Sequence, residues 1–411
     1  MSDDQRGIPL DADPGTAAAW DVVVIGAGPA GSMAARALAE RGHTVLIVDR
    51  AAFPREKVCG DGLIPDALQC LRRAGLYEPV AARGHRLGTL SVFSPSGVRV
   101  DLPGDFVTLP RLELDSLLLQ DAQRLGAVFR TARVTSVASC EEGVLVSVAG
   151  DAPPVHARYA IVATGADQSL ASWDGVADSR QSDADAVAVR CYVESPAAVD
   201  ELVISFDRHV LPGYAWIFPL GNGRYNIGCG IFRQHERHGK VNLRHTFATF
   251  TERFPLARTL WTARTGATRL AGAMLRCGLQ LRRAWDGHRV VAAGEAIATT
   301  YPFTGEGIGK AMESGEAAAR HVAAALAGED HALAGYAEAL RRQFLPRYSG
   351  YRIAENWISS PWVSDVVARG VRRSSRLRRA AAGVISETAD PRAVFSVRAL
   401  AAGLLPQRRA K

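Results

Sequence analysis

A glycine-rich turn between two short apolar strands constrains this chain more than any other feature. Residues 21–31 read Asp-Val-Val-Val-Ile-Gly-Ala-Gly-Pro-Ala-Gly, and a second apolar run over 44–48 ends at Asp49. The β-branched residues predict a short buried parallel strand, and the Ala-rich run over 30–40 predicts the helix that follows it. A GxGxxG turn in this setting is typical of a dinucleotide-binding βαβ unit, in which the pyrophosphate lies at the N-terminus of the helix.

Each glycine of the turn has a mechanical role in such a unit. Gly26 permits the tight turn, Gly28 lets a pyrophosphate approach the backbone, and Gly31 lets the helix pack closely on the strand. The carboxylate of Asp49 stands where the partner of a ribose hydroxyl belongs. A glycine-rich turn of purely structural use is the alternative. The residues predicted to contact the dinucleotide here are Gly26, Gly28, Pro29, Ala30, Gly31, Asp49 and Arg50.

The length and composition of the chain indicate a soluble protein with more than one structural unit. Its 411 residues, with 47% hydrophobic residues and a mean hydropathy of −0.01, suffice for two domains or for one large α/β domain with an insertion. No apolar run of about eighteen residues is present, so we expect no transmembrane helix. Residues 1–19 carry four aspartates and no apolar core, which predicts the flexible tail of a cytoplasmic protein rather than a signal peptide.

The positive charge of the chain is concentrated near its C-terminus. The formal net charge is +7, and residues 361–411 carry ten Arg and one Lys against three acidic residues. The rest of the chain is therefore close to neutral, which argues against a nucleic-acid partner. Such a basic segment is compatible equally with peripheral contact to an anionic membrane and with a solvated helix or a subunit contact.

The six cysteines are scattered without the CxxC or CxxH spacing of a zinc site, so we expect no metal and no disulfide framework. Cys59 differs from the others because glycine and aspartate follow it in a loop over 53–65, which leaves the carboxyl end of a predicted core strand. Ligands bind at that end of the strands in α/β sheets. Cys59 is therefore a candidate functional residue, with a structural role as the alternative.

The remaining sequence predicts a change from α/β to antiparallel structure in the middle of the chain. Helices are expected over 66–75, 110–126, 243–253 and 305–327, and over most of the chain from about 333. Strands are expected over 127–137, 143–149, 155–163 and 290–294, with a hairpin over 89–93 and 98–102. An inserted antiparallel sheet is predicted from strands over 186–194, 202–206, 214–219 and 224–232.

Four separated motifs share one resemblance. They are Gly-Ala-Gly-Pro-Ala-Gly at 26–31 followed by Val48-Asp49-Arg50, Lys57-Val-Cys-Gly-Asp-Gly62, Tyr214-Ala-Trp-Ile-Phe-Pro219, and 289–316 with its Pro302-x-Thr-Gly-Glu-Gly-Ile308 core. Together they resemble the geranylgeranyl reductase family of FAD-dependent oxidoreductases, which has the glutathione-reductase-type FAD fold and is related to flavin monooxygenases. The likeness extends from residue 21 to about 320. Glu295 stands where the family usually has Asp, and Asp61 where it usually has Gly.

The resemblance implies an α/β fold in which a Rossmann-like FAD-binding domain carries an inserted antiparallel-sheet substrate domain and a helical C-terminal tail. The FAD-binding domain is expected to comprise 20–65, 105–170 and 285–328. The substrate-binding domain is expected to comprise 66–104 and 171–284, and the helical basic region 329–411.

The resemblance also implies which residues contact FAD outside the glycine-rich turn. They are Arg111, Gly294, Glu295, Pro302, Gly305, Glu306, Gly307 and Ile308. The helix that begins near Gly305 would offer its unpaired N–H groups to the flavin. A surface ion pair with Asp115, four residues along the same helix face, is the alternative role of Arg111.

The implied reaction is the reduction of C=C bonds in an apolar, prenyl or natural-product small molecule by hydride from the flavin. Tyr214, Trp216 and Phe218 alternate along one strand and so share a face, which with the resemblance favours a cavity wall over a plain core sheet. Cys59 would donate the proton or seat the substrate. The catalytic candidates are Cys59, Tyr214 and Trp216.

The expected electron donor is NAD(P)H, with ferredoxin as the alternative. The chain has one GxGxxG motif, so a nicotinamide cofactor would dock transiently without a Rossmann domain of its own. A flavin monooxygenase acting on an aromatic or polyketide-like compound is the alternative function.

Overall fold

Two β-sheets of different construction organise the chain. The computed structural model describes residues 20–171, 185–232, 241–302, 304–329, 331–358 and 360–395. The predicted flexible tail at 1–19 and the end of the predicted basic region, 396–411, lie outside the described residues.

The secondary structure of the described residues comprises ten helices and sixteen strands. The helices are α1 (Pro29–Ala39), α2 (Pro65–Arg73), α3 (Tyr77–Arg83), α4 (Arg111–Arg124), α5 (Leu243–Arg253), α6 (Pro255–Thr262), α7 (Ile308–Leu326), α8 (Tyr336–Ile358), α9 (Pro361–Arg373) and α10 (Ser375–Ile385). The strands are β1 (Trp20–Ile25), β2 (Val45–Asp49), β3 (Gly62–Leu63), β4 (His85–Phe93), β5 (Arg99–Thr108), β6 (Val128–Thr131), β7 (Val134–Cys140), β8 (Gly143–Val148), β9 (Val155–Val162), β10 (Ala186–Glu194), β11 (Leu202–Ser205), β12 (Tyr214–Gly221), β13 (Arg224–Phe232), β14 (Gly266–Ala267), β15 (Ala271–Leu275) and β16 (Val290–Ala292).

The first sheet has a parallel core, as the βαβ pattern predicts. Its order is β6-β2-β1-β9-β8-β7, and β16 pairs with the second half of β9. The strands β6, β2, β1, β9 and β16 run parallel, while β7 and β8 form an antiparallel extension. Val22, Val23 and Val24 are completely buried, as expected for a parallel strand that is covered on both faces.

The glycine-rich turn brings α1 unusually close to the strands. Gly26 has a φ of +102°, and a Cβ atom there would lie 2.3 Å from the carbonyl oxygen of Ala163. A Cβ atom on Gly31 would lie 1.8 Å from the carbonyl oxygen of Gly26. Neither position has room for a side chain, which confirms the tight turn and the close helix packing predicted for these two glycines.

The second sheet is antiparallel apart from one parallel pair, β4 with β11. Its order is β14-β10-β13-β12-β11-β4-β5-β3, with β15 also on β10. Side chains alternate between its two faces. One face packs on α5 and α6 through an apolar cluster that includes Ile217, Ile227 and Phe250. The opposite face is therefore available to form a cavity.

Several boundaries differ from those expected. The hairpin predicted over 89–93 and 98–102 extends over His85–Phe93 and Arg99–Thr108. The single strand predicted over 127–137 is two strands, because the chain leaves its parallel pairing with β2 at Thr131 and then pairs with β8 from Val134. The helix predicted from 305 begins at Ile308, because Gly305 has a φ of +70° and cannot belong to a right-handed helix.

The C-terminal helices belong to the core of the protein rather than to a separate tail. Leu340, Phe344, Val371 and Leu377 lie in the same buried apolar cluster as the strands of the first sheet. Within the described ranges, every helix is too short or too polar to traverse a lipid bilayer.

Candidate active site

One cavity joins the glycine-rich turn to the inner face of the second sheet. Its volume is about 650 Å³. The predicted site residues that line it are Gly26, Gly28, Pro29, Ala30, Asp49, Arg50, Cys59, Arg111, Tyr214, Trp216, Glu295, Gly305, Glu306, Gly307 and Ile308. The structure thus brings together side chains from both sheets and from the start of α7.

Three predicted residues have packing positions instead. The close contact of Gly31 with Gly26 is described above. A Cβ atom on Gly294 would lie 2.8 Å from the Cβ atom of Ala30, so this glycine lets the following turn pack on α1. Pro302 is buried in the turn that precedes α7.

The N-terminus of α1 is open to the cavity and is surrounded by positive charge. Its N-cap residue, Gly28, supplies no side-chain hydrogen bond to the first turn. A Cβ atom there would have as its nearest neighbours the guanidinium groups of Arg55, at 3.6 Å, and Arg111, at 4.0 Å. Unpaired helix N–H groups and two guanidinium groups together favour an anion such as a pyrophosphate.

A shared carboxylate holds both arginines in place. Asp115 is completely buried, and its Oδ1 and Oδ2 accept hydrogen bonds from Arg111 Nε at 2.7 Å and Nη2 at 2.8 Å. Arg55 Nη2 lies 3.2 Å from Asp115 Oδ2. The alternative of a surface pair for Arg111 is therefore wrong, because the arginine itself is 8% exposed. The sequence motifs did not predict a role for Arg55. Its position in the polar loop over 53–65 is the one sequence feature that points to it.

Asp49 ends β2 with its carboxylate fixed beside the turn. Its Oδ2 accepts a hydrogen bond from the backbone N–H of Ala27 at 2.8 Å, and its Oδ1 accepts one from that of Ala51 at 3.0 Å. Each oxygen keeps acceptor capacity for a further donor such as a ribose hydroxyl. The neighbouring side chain of Arg50 is largely exposed and lies 3.9 Å from Asp167.

Asp61 ties the Cys59 loop to the second sheet. Its carboxylate is fully buried and accepts hydrogen bonds from Tyr192 Oη at 2.8 Å, Asn226 Nδ2 at 2.8 Å and the backbone N–H of Arg111 at 3.2 Å. Burial raises the pKa of Asp61 to about 6. Its φ of +64° is a left-handed conformation that favours glycine, the residue usual at this position in the family it resembles.

Cys59 lies half-buried in the cavity wall with a neutral thiol. Its backbone carbonyl accepts a hydrogen bond from Asn226 Nδ2 at 2.8 Å. Burial raises the pKa of the Cys59 thiol, and the negative charge of Asp61 raises it further. At neutral pH this sulfur therefore carries a proton that it can donate.

The inner face of the second sheet carries the aromatic side chains predicted to share it. The ring centroids of Tyr214 and Trp216 are 5.9 Å apart, and those of Trp216 and Phe218 are 6.4 Å apart. Trp216 Nε1 donates a hydrogen bond to Asn226 Oδ1 at 2.9 Å. A Cβ atom on Gly228 would lie 2.2 Å from Trp216 Cζ2, so the missing side chain lets the indole lie over β13.

The turn before α7 presents a protonated carboxyl group. Tyr214 Oη donates a hydrogen bond to the carbonyl oxygen of Thr304 at 3.0 Å and so fixes this turn to β12. Burial raises the pKa of Glu306 to about 8, and the charges of Asp66 and Glu387 contribute. Glu306 Oε2 is buried and makes no hydrogen bond to the described residues. A neutral Glu306 can therefore donate to a bound ligand.

Glu295 lies deeper in the same wall. Its Oε1 accepts a hydrogen bond from the backbone N–H of Arg276 at 3.0 Å, and burial raises the pKa of its carboxyl group. The glutamate side chain, one methylene longer than the family's usual Asp, thus reaches the backbone of Arg276, the residue that follows β15.

Comparison with known proteins agrees with this geometry. The chain matches a family model described as an FAD binding domain over residues 19–344. It is 36% identical to a menaquinone reductase of Mycobacterium tuberculosis over 313 residues, 73% of this chain and 75% of that protein. It is 32% identical to digeranylgeranylglycerophospholipid reductase 1 of Methanopyrus kandleri over 324 residues, 76% of this chain and 82% of that protein. A geranylgeranyl bacteriochlorophyll reductase-like protein of Thermoplasma acidophilum has the same fold, with a TM-score of 0.74 at 20% identity over 94% of this chain and 95% of that one.

The fold, the matched domain and the relatives define an FAD-dependent oxidoreductase. The residues present fit the cofactor, because the helix N-terminus at Gly28 is open and cationic and Asp49 is fixed beside it. The chain belongs to the geranylgeranyl reductase family of these enzymes, which confirms the resemblance read from its motifs.

Proposed function

We propose that the protein reduces C=C bonds in the prenyl chain of a largely apolar substrate, with NAD(P)H as the electron donor. The observation that carries this proposal is the continuity of the cavity, which leads from the glycine-rich turn to an aromatic wall on the second sheet. The names of the relatives, a menaquinone reductase and a digeranylgeranylglycerophospholipid reductase, support a prenylated substrate.

Both ends of FAD have candidate partners in this cavity. The N–H groups at the start of α1, with Arg55 and Arg111, would hold the pyrophosphate, and Asp49 would accept from a ribose hydroxyl. The turn at Gly305 and the neutral carboxyl group of Glu306 would contact the flavin. When bound, FAD supplies hydride transfer between the nicotinamide donor and carbon.

Cys59 would complete the addition across the double bond. Each turnover breaks one C=C π bond and forms two C–H bonds, one from a hydride and one from a proton. NAD(P)H supplies the two electrons and is oxidised to NAD(P)⁺. The Cys59 thiol gives its proton to the second carbon and regains one from water. Because the pKa of the Cys59 thiol is raised, the proton stays on sulfur until it is transferred to the carbon.

Product analysis under strictly anaerobic conditions tests this function. Holoenzyme is mixed with a prenylated naphthoquinone or a prenyl alcohol and with NADPH or NADH, and the products are examined by mass spectrometry. Addition of two hydrogens to the prenyl chain supports the proposal. A product that forms only with O₂ and contains one oxygen atom from it would identify a monooxygenase and overturn the proposal.

Replacing Cys59 by serine should separate proton donation from cofactor binding. We expect Cys59→Ser to keep the flavin absorption spectrum and to lower the rate of alkene reduction by at least ~10-fold, the lower part of the range for loss of a positioned acid. Cys140→Ser is the matched control, because Cys140 is an exposed free thiol on β7. Equal rates for the two variants would return Cys59 to a structural role.

The outer surface of α9 and α10 would bring the protein to the membrane in which a prenylated substrate resides. Exposed side chains on this surface include Arg372, Arg373, Arg376, Arg378 and Arg379. Trp362, at the start of α9, is 63% exposed. Basic side chains and an exposed tryptophan are both typical of proteins that contact the interface of an anionic lipid bilayer.

Charge reversal on this surface should weaken vesicle binding without unfolding the protein. Because α9 and α10 contribute to the core, substitution is a cleaner test than deletion of 361–411. Arg372→Glu/Arg376→Glu/Arg379→Glu should lower co-sedimentation with phosphatidylserine-containing vesicles by roughly 100-fold, at about 1 kcal/mol for each arginine lost. The control is Arg341→Glu/Arg342→Glu, two exposed arginines of α8 that pair with Glu338. Equal pelleting with neutral vesicles would exclude the role proposed for these arginines, and no pelleting at low salt would exclude the membrane role.

A further inference from the structure

The inner face of the second sheet has a polar edge opposite its aromatic wall. Strands β10, β13 and β12 lie side by side, and residues in register share a face. The three rows that cross these strands on the cavity side are Ala188–Gly230–Tyr214, Arg190–Gly228–Trp216 and Tyr192–Asn226–Phe218. The indole of Trp216 fills the space over Gly228. The cavity is lined on this side by Gly230, Trp216 and Arg190.

Arg190 is a buried cation with an unused donor. Its residue exposure is 5%, and it lines the cavity. Its guanidinium carbon lies 4.0 Å from the centre of the Tyr192 ring, and its Nη2 donates a hydrogen bond to Glu56 Oε2 at 3.3 Å. Its Nε is buried and has no hydrogen-bond partner among the described residues. Buried guanidinium N–H groups are costly to leave unpaired, so this donor points to a ligand.

Asp61, the buried acid near Arg190, accepts no hydrogen bond from Arg190 Nε. Both oxygens of Asp61 accept hydrogen bonds from Tyr192, Asn226 and the backbone of Arg111. Asp61 and Glu56 nevertheless place negative charge near Arg190. At Arg190 the cavity therefore offers a hydrogen-bond donor whose positive charge is already balanced. Such a donor suits a neutral acceptor better than a multiply charged anion.

We propose that Arg190 binds a ring carbonyl oxygen of a prenylated quinone-type substrate while the prenyl chain lies along Tyr214, Trp216 and Phe218. This inference rests on the proposed function and adds to it the head group that the site accepts. The carbonyl satisfies the buried Nε–H, and the prenyl chain covers the aromatic wall without contributing a charge. The aromatic stack on Tyr192 holds the guanidinium plane in place before the substrate arrives.

Binding to the oxidised holoenzyme tests this subsite independently of turnover. The dissociation constants of three ligands with the same prenyl chain are measured by equilibrium dialysis: a prenylated naphthoquinone, a prenyl diphosphate and an unsubstituted polyprene. The variants are Arg190→Met, which keeps a long apolar side chain, and Arg190→Lys, which keeps a charge without the guanidinium fork. Arg264→Met is the matched control, because Arg264 stacks on Trp261 at 4.2 Å outside the cavity lining.

For Arg190→Met we expect the dissociation constant of the naphthoquinone to rise by roughly 10- to 100-fold, as for loss of a hydrogen bond to a charged donor. Binding of the polyprene, the flavin spectrum and binding by Arg264→Met should remain as in the unmodified protein. Arg190→Lys should fall between the two. In turnover, Arg190→Met should raise KM far more than it lowers kcat.

Three results would overturn the subsite. They are unchanged naphthoquinone binding by Arg190→Met, an equal loss of polyprene binding, or a loss confined to the prenyl diphosphate. Failure of the proposed function would look different, because the unmodified enzyme would then form no product with added hydrogens while the binding comparison could still be made.

Discussion

Gly28→Trp should yield a colourless protein. The position that a Cβ atom would take on Gly28 lies in the open cavity, 3.6 Å from Arg55, so an indole there would occupy the space proposed for the pyrophosphate. We expect FAD affinity to fall by at least ~100-fold, equivalent to about 2.8 kcal/mol. The pyrophosphate would lose its contacts with the N-terminus of α1 and with both arginines at once. Flavin content after purification and titration of the apoprotein with FAD measure the change.

The control for this variant is Gly88→Trp. Gly88 is exposed at an irregularity in the pairing of β4 with β5, and a Cβ atom there would have nothing within 4 Å. This protein should be yellow and should share the far-ultraviolet circular dichroism of the unmodified chain. A Gly28→Trp protein that keeps its full complement of FAD would mean that the dinucleotide lies elsewhere.

Lys310→Met should destabilise the protein by roughly 3–5 kcal/mol, the range for removing one partner of a buried ion pair. Lys310 is 1% exposed, and its Nζ lies 2.9 Å from Glu313, 2.9 Å from Glu387 and 3.7 Å from Asp66. Without the ammonium group the buried carboxylate of Asp66 loses this cation, whereas Glu387 keeps Arg347 at 3.3 Å. Urea denaturation followed by tryptophan fluorescence measures the loss, and Arg320→Met, on the exposed side of the same helix, is the control.

The loss should depend on pH in a defined direction. Burial already raises the pKa of Asp66 from 3.8 to about 7. A raised pKa means that the folded protein binds this proton more tightly than the unfolded chain, so the resulting stability is complete below about pH 4 and disappears as the pH rises through 7. Removing Lys310 raises the pKa of Asp66 further, so the destabilisation by Lys310→Met should become smaller as the pH falls below about 7 and Asp66 takes up its proton. A loss that grows as the pH falls would contradict this account.

Local sequence patterns were sufficient to predict the parts of the site that are built locally. The turn at Gly26 is a strand, a loop and a helix in direct succession, so its geometry is encoded within a dozen residues. Tyr214 and Trp216 share a face for the equally local reason that side chains alternate along a strand. The register that places Arg190 and Trp216 on either side of Gly228 could not be predicted from local patterns. It depends on the pairing of β13 with both β10 and β12.

The groups that tune the site come from distant parts of the chain. Asp61 receives hydrogen bonds from Tyr192 and Asn226, which are 131 and 165 residues away in sequence. The reason for an aspartate at this position, where the family usually has glycine, therefore could not be predicted from the local sequence. The partner of Glu387 could not be predicted either, because Lys310 lies 77 residues earlier in the sequence, on α7.

The buried ammonium group of Lys310 also has an evolutionary consequence. It joins α2, α7 and the turn after α10 through Asp66 and Glu387. Loss of Lys310 removes the cation beside the buried Asp66, and loss of either acid removes one partner of the ammonium group. Single steps along such a path pass through a destabilised protein, whereas paired changes need not. Lineages that descend from this enzyme should therefore keep all three residues or exchange them in concert, and the C-terminal helices should be inherited together with the first sheet rather than shuffled as a separate module.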